Sequence, residues 1–360
     1  MPLVHDILSN KIELEATIDG KEFLDIGVLK YTAEVNKSRS LTFTVNGREA
    51  LERCRLGGVI QVEAGRGNQI HNLTFTGIIK NIRPGTVTSN VTAMDYVNQL
   101  ATSEIVEYKS HQVLNKDLYY LARDAADYKG VVTTTLDEGS GILATEDMGL
   151  TGLWTRKAFI DTCFNYMYRG FSDSDHPIFS YSPWQYAIRS GSQMDFWYSD
   201  HLNYQTDTKL TISEGDDNIK GKGIVATLDA TKLVNSATYY SSTDETIYST
   251  HTDEHSVDRY GPSGKKVSFP STSRGRLLEL AMDDVEQNKQ PTITYSIEMS
   301  NGEWIALGEL IKVSVPQLKR EDILPVVRYE TTIGKEVNTV LTLGTPKLSM
   351  ADYIKLLGCP

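Results

Sequence analysis

Between residues 11 and 93, apolar and polar positions alternate in short runs separated by turn residues. KIELEATIDG, LTFTVNG, GVIQVEAG, LTFTGIIKNIRPG and VTSNVTAMD follow one another, with Asp-Gly, Asn-Gly and Pro-Gly pairs among them. A period of two with such turns predicts antiparallel hairpins closing into a sandwich or barrel. In GIIKNIRPGTVTSNVTAMDYVNQL, from Gly77 to Leu100, the Pro84-Gly85 turn joins two strands. Val87, Ser89, Val91 and Ala93 alternate there with more polar neighbours, as in a half-buried strand. Asp95 stands where a helix N-cap belongs, ahead of Val97 and Leu100 on one helical face.

From 94 to 205 the period changes. NKDLYYLARDAADYKGV carries Leu118, Leu121, Ala122 and Ala125 at helical spacing, with Asn115 as N-cap and Gly130 as stop. GLTGLWTRKAFIDTCFNYMYRG repeats the pattern, with Thr151 or Thr155 as cap and Ala158, Ile160, Phe164 and Met167 facing inward. PIFSYSPWQYAIRSGSQMDFWYSDH then turns back toward strand. From about 206 the β texture is expected to persist to about 345, followed by a short helix at LSMADYIKLLG. The expected class is α+β, mainly β. The expected domains are a first β-barrel over 1–93, an α/β insert over 94–205, a second β-barrel over 206–345 and a C-terminal helix or tail over 346–360.

The two β regions share an internal repeat. LGGVIQV (Leu56 to Val62) and LGELIKV (Leu307 to Val313) share the pattern L-G-x-[VL]-I-x-V. SLTFTVNG precedes the first and TYSIEMSNG the second, while LTFTGIIKNIR corresponds to ILPVVRYETTI. A later strand supplies Thr92 in NVTAMD and Thr342 in TVLTLGT. The matched order of four strands reads as two related β domains flanking an insert.

Composition narrows the class further. At 360 residues, 40% hydrophobic and 23% charged, the chain is globular and long enough for two or three domains. It has no apolar run of eighteen residues, so no membrane span is expected, and the first residues show no signal-peptide pattern. Cys54, Cys163 and Cys359 are odd in number and widely spaced, which fits thiols in a reducing cytoplasm better than a disulfide or zinc framework. A formal charge of -11 argues against nonspecific nucleic-acid binding.

Candidate chemistry is sparse. HTDEH (His251 to His255) would place His251, Asp253 and His255 on one side of an extended strand, a possible divalent-metal set, although its polar surroundings read as an exposed loop or long hairpin. GPSGKK (Gly261 to Lys266) fails as a phosphate loop, which needs Gly where Arg259 stands and Ser or Thr where Lys266 stands. DSDH (Asp173 to His176) precedes Pro177 and reads as a turn. Cys163, among apolar residues in a helix, reads as a packing cysteine. The aromatic run Phe179, Tyr181, Trp184, Tyr186, Phe196, Trp197, Tyr198 and Tyr204 is open to three readings: insert core, protein interface or sugar platform. No catalytic, cofactor-binding or metal residue is assigned, and no cofactor is expected.

FTGIIKNIR…VTAMDYVNQLA, the helix-rich segment after it, and an ending VLTLGTPKLSMADYI together resemble the central baseplate hub of tailed bacteriophages. That family includes the late control protein D proteins and their tail-tip relatives. The likeness runs along nearly the whole chain and rests on strand texture, order and length. It implies two tail-tube-like barrels per subunit, so that a homotrimer presents six and adapts a sixfold tail tube to a threefold central spike. The implied partners are copies of itself, the tail tube protein, the spike or tip protein, other baseplate proteins and the tape measure protein. Genome DNA would pass through the channel without specific binding, past a lumen whose carboxylates repel phosphate. The expected location is the virion tail tip or baseplate, after assembly in the host bacterial cytoplasm. A non-enzymatic role is expected, because hydrolase domains of tail-tip relatives usually follow the hub region and this sequence stops at Pro360. The alternatives are a tail-associated cell-wall hydrolase and a carbohydrate-binding tail protein.

Overall fold

The computed structural model describes residues 12–344, apart from 24, 67–68, 129–130, 134–138, 168–183, 191, 199–209, 214, 301, 303–304, 317–319 and 335. The first β region builds β1 (Ile12–Ile18), β2 (Lys21–Glu22), β3 (Ile26–Glu34), β4 (Ser40–Asn46), a short helix α1 (Arg48–Arg53), β5 (Val59–Arg66), β6 (Gln69–Arg83) and β7 (Thr88–Asp95). Alternation has the expected cause. Leu41, Phe43 and Val45 of β4, Ile60, Val62 and Ala64 of β5 and Leu73, Phe75 and Ile79 of β6 are buried, while Thr42, Thr44, Gln61, Glu63, Thr74, Thr76 and Ile78 between them are at least partly open. One wetted and one buried face is the signature of an antiparallel sheet. Each large apolar side chain so buried contributes about 2 kcal/mol.

The chain leaves β7 as expected. The Asp95 carboxylate accepts from the Val97 backbone N–H at 3.1 Å and opens α2 (Tyr96–Ala101), with Val97 and Leu100 buried. Then come β8 (Val106–Tyr108), α3 (Ser110–Val113), α4 (Leu118–Ala126), β9 (Val132–Thr133), β10 (Gly152–Trp154), α5 (Arg156–Met167), β11 (Trp184–Ser190) and β12 (Gln193–Tyr198). The cap of α4 is Asp117, not Asn115. Asp117 accepts from Tyr119 N at 2.8 Å, whereas Asn115 sits at φ 61, a left-handed turn position that asparagine tolerates. Asp117 also gathers Ser140 N at 3.0 Å, Ser140 Oγ at 2.7 Å and Gly141 N at 2.6 Å, donors more than twenty residues away that no local pattern announces. The α5 cap is Thr155, whose hydroxyl accepts from Ala158 N at 3.3 Å. Leu118, Leu121, Ala122 and Ala125 pack with Ile160, Phe164, Met167, Tyr186 and Phe196 in one core, joined by Phe159 and Cys163. Ala158 is only half-buried.

After β13 (Leu210–Ser213) and β14 (Ile219–Asp229) the expectation of unbroken β structure fails. Residues 226–295 contain β15 (Ser236–Ser241), β16 (Tyr248–Thr252), α6 (Glu254–Tyr260), β17 (Gly264–Phe269) and α7 (Arg274–Asn288), the described part of a second compact unit. Its three strands run β16-β15-β17, with β15 and β17 parallel. Leu277, Leu280, Ala281 and Val285 of α7 pack on Ala237 and Tyr239. A single β-barrel over 206–345 is therefore corrected to strands interrupted by this α/β unit. The signal was present, since Leu277, Leu280, Ala281 and Val285 have helical spacing and Ser273 caps α7 by accepting from Arg276 N.

The chain closes with β18 (Thr292–Ser300), β19 (Leu310–Val315), β20 (Arg320–Ile333) and β21 (Val337–Gly344). The expected C-terminal helix lies outside the described residues. Strand makes up 50% and helix 22%, so the mainly β class holds. The two β regions are joined through one sheet in the order β14-β18-β21-β20-β3-β4-β7-β6-β5-β1-β2, with β19 on β20 and β13 on β19. The junction is β3 against β20, antiparallel, from Arg328↔Glu34 to Ile333↔Leu29.

A buried polar knot pins that junction. Arg39, fully buried, donates its Nε to Asp95 Oδ2 at 3.1 Å and its Nη1 to Tyr31 OH at 3.1 Å and Thr74 O at 3.0 Å. Ser38 Oγ donates to the other Asp95 oxygen at 2.7 Å, and Tyr329 of β20 donates to Tyr31 OH at 3.1 Å. Desolvation pushes the Asp95 carboxyl up against the pull of Arg39 and Ser38, and it holds the Tyr329 phenol well above the ordinary tyrosine range. Removing one member of such a pair strands a buried charge. Arg39→Ala is expected to lose about 3–5 kcal/mol of unfolding free energy in urea at neutral pH. The double change Arg39→Met with Asp95→Asn should lose markedly less. Equal losses would show that the pair is not desolvated in solution.

Candidate functional site

The internal repeat is a repeat of geometry. Gly57 and Gly308 occupy the same place in their LG turns, at φ 83 and φ 77, where a side chain would be strained. Gly57 N donates to Ile79 O at 2.9 Å and Ile79 N donates to Gly58 O at 2.9 Å. Gly308 N donates to Val326 O at 2.8 Å and Val326 N donates to Glu309 O at 2.9 Å. Val59 then pairs with Ile78 as Leu310 pairs with Pro325. A register shift follows at the same step, between Ile79 and Asn81 in one repeat and between Val326 and Arg328 in the other. Thr92 lies opposite Asn81 and Thr342 opposite Arg328, so the two threonines singled out in the sequence are equivalent.

The strand order is duplicated too. β3-β4-β7-β6-β5 recurs as β14-β18-β21-β20-β19. The equivalence ends at the next strand, because β1 joins β5 antiparallel and β13 joins β19 parallel. The insert is fixed to the first repeat at the β3–β4 turn. Asn36, at φ 60, donates its N–H to Tyr186 O at 2.8 Å, and its side-chain oxygen accepts from Tyr186 N at 2.9 Å. The Tyr186 hydroxyl donates to Asn36 O at 3.0 Å and reaches Asp161 of α5.

In this arrangement the aromatic run divides. Tyr186 and Phe196 belong to the insert core and Trp197 is half-buried. Phe179, Tyr181 and Tyr204 lie outside the described residues, as do the side chains of Trp184 and Tyr198. DSDH and Cys359 also lie outside them. Burial raises the Cys54 thiol to about 11 and pushes the Cys163 thiol up strongly, so both stay protonated at neutral pH. GPSGKK runs into β17 at Gly264 and opens no helix.

HTDEH is neither a loop nor one extended strand. β16 stops at Thr252, Asp253 caps α6 by accepting from Ser256 N at 2.8 Å, and His255 is exposed on that helix. The change of backbone at Asp253 removes the shared strand face on which His251, Asp253 and His255 would have converged. Among the described residues no group of three or more His, Cys, Asp or Glu is arranged to hold a metal ion. No described helix is long and apolar enough to cross a membrane.

Three solved structures share this architecture. The tail protein from Neisseria meningitidis MC58 is 13% identical, covering 92% of this chain and 96% of that chain with a TM-score of 0.66. The 43 kDa tail protein of prophage MuSo2 from Shewanella oneidensis is 12% identical, covering 97% and 100% with a TM-score of 0.64. The fold is that of phage tail proteins. Prophage tail protein gp18 from Listeria monocytogenes EGD-e shares it at 14% identity, 96% and 100% coverage and a TM-score of 0.50. No family model matches the sequence of this tail-protein fold, and no curated protein does.

The Asp253 cap has a measurable pH signature. The Ser256 N–H holds its carboxyl below the ordinary aspartate range against the opposing effect of burial, with a lesser pull from Lys289 at 3.3 Å. A carboxyl with a lowered folded value contributes stability above its unfolded value of about 3.9, and that stability is lost as pH falls through the folded value. Protection of the α6 amides, referred to the intrinsic exchange rate at each pH, should therefore fall on acidification below about pH 4. Asp253→Ala should lose about 1 kcal/mol of that protection at neutral pH and show a weaker acid response. An unchanged acid response in the variant would assign the effect to other groups.

Proposed function

We propose that the chain is a structural hub of a phage tail tip or baseplate, working through its β surfaces with no covalent chemistry. The observation that carries this reading is the duplicated strand order, β3-β4-β7-β6-β5 and β14-β18-β21-β20-β19, within a fold shared with phage tail proteins of three bacteria. One chain with two alike β modules presents two alike surfaces. Three chains would present six, and a sixfold tail tube could then rest on a threefold spike. In this reading the copies form a homotrimer, bind tail tube protein on one side and spike and baseplate proteins on the other, and surround a channel through which DNA passes without being held. The polar side chains support a non-enzymatic role: Asp95, Asp117 and Asp253 are engaged by backbone N–H groups as helix caps.

The test is reconstitution. Purified chain mixed with its tail tube protein should cap tube ends in negative-stain images, and light scattering should give the mass of three chains for the hub alone. Tubes with bare ends at saturating chain, together with glycan or peptide cleavage by the chain, would replace this reading with the hydrolase one.

A further inference from the structure

The sheet of the second compact unit is wider than its helix layer. A helix about 10 Å across covers two strands at about 4.8 Å spacing, and this sheet has three, β16-β15-β17. α7 lies over β16 and β15. Lys265, Val267 and Phe269 of β17 stand on the same side of the sheet, in register with Ala237, Tyr239 and Ser241. Val267 and Phe269 reach only the margin of the core and are half-buried. Among the described residues, α7 is the one helix that contributes to that core. Lys265 leans across to Asp284 of α7 at 2.7 Å. An apolar strip along β17 is thus left at the flank of α7.

The sequence after Gly344, which lies outside the described residues, has the pattern this strip would accept. Ser349 and Asp352 hold the spacing of a capping box, and Gly358 stands at the stop. Met350, Tyr353, Ile354 and Leu357 fall at i, i+3, i+4 and i+7, with Asp352 and Lys355 on the opposite face. The path to the strip is short. β21 lies beside β18 as β7 lies beside β4, and β7 ends next to the start of β4. Asn338, near the start of β21, accordingly donates to Glu298, near the end of β18, at 2.8 Å. Gly344 therefore comes out beside the first residues of β18, which begins at Thr292, shortly after α7 ends at Asn288. Asn288 O accepts from Val234 N at 2.9 Å and Ser263 O accepts from Asn235 N at 3.0 Å, so the end of α7 and the entry to β17 are held side by side. The residues from Gly344 to Met350 can reach up to about 20 Å.

We infer that residues 350–357 form a helix that docks along β17, antiparallel to α7, and lays Met350, Tyr353, Ile354 and Leu357 on Val267 and Phe269. The occupant is this chain's own tail because it leaves β21 at the entry of the strip and carries an apolar face of helical period. A helix entering at the Gly264 end of β17 finishes toward Phe269, which brings Cys359 to that far end. Docking completes the helix layer of the second compact unit and holds or fails independently of the hub reading.

The experiment is disulfide trapping in the full chain, with Cys359 as the native probe. Cys54 and Cys163 are buried and protonated, so they stay silent. Thr272→Cys puts a thiol just past the Phe269 end of β17, and Pro262→Cys puts one just before the Gly264 end, both at exposed positions. Under diamide, Thr272→Cys should bond to Cys359 roughly tenfold faster than Pro262→Cys does, because a docked tail holds the two sulfurs close. Adding Ile354→Asp to Thr272→Cys should remove that advantage by charging the apolar face. Equal rates, a faster bond with Pro262→Cys, or a rate indifferent to Ile354→Asp overturns the inference. A mixture of isotope-labelled and unlabelled chains identifies the partner in the bond. Cross-linked peptides of one label only support docking on the same chain, and mixed-label peptides overturn it in favour of a second copy.

Discussion

Antiparallel pairing of β3 with β20 is the constraint on which the first compact unit depends. It joins residues some three hundred positions apart and places the two repeats on one sheet. Buried backbone N–H and C=O groups must find partners, so the ladder is an obligation once the apolar faces are covered. Side chains then fix which strands meet. Lys30 pairs with Glu330 at 2.8 Å across the junction, Tyr329 reaches Tyr31, and Arg39 ties Tyr31 to Asp95 at the start of α2. Exit into the insert and union of the repeats therefore share one buried network.

The same economy governs the ionisable groups. Asp95, Asp117 and Asp253 each accept backbone N–H groups at the start of a helix. Asp284, buried on α7, is bound by Tyr239 at 3.1 Å and Lys265 at 2.7 Å inside the second compact unit. Carboxylates held in this way by backbone and side-chain donors are engaged within the fold. These residues hold elements in position.

Duplication gives related surfaces without making them identical. The LG turns, the register shifts and the strand order coincide, yet β1 and β13 join their neighbours in opposite directions. A residue buried within the chain in one repeat can stand open in the other, as Leu307 and Leu56 do. Equivalent positions thus experience different surroundings, and sequence divergence between the repeats follows from that.

Much of this was legible in the sequence wherever the cause is local. The two-residue alternation of β4 to β7, the turn at Pro84-Gly85 and the cap at Asp95 depend on residues close in the chain, although Val87, expected within the strand, lies before β7 and is exposed. Pattern and turn chemistry encode them directly. The helix α7 was also encoded, by Ser273 and the spacing from Leu277 to Val285, but lay within a stretch otherwise β in texture. Other features belong to the tertiary structure alone. The choice of β20 as partner for β3 is made by main-chain hydrogen bonds, which carry no residue code. Asp117 and not Asn115 caps α4, and Ser140, twenty-three residues on, supplies further donors to that carboxylate. His251, Asp253 and His255 were separated by the start of α6. Local pattern dictates where most strands form and that they form twice; the packed chain decides which edges are satisfied and which stay open, because only folding brings distant backbone donors and acceptors within reach of each other.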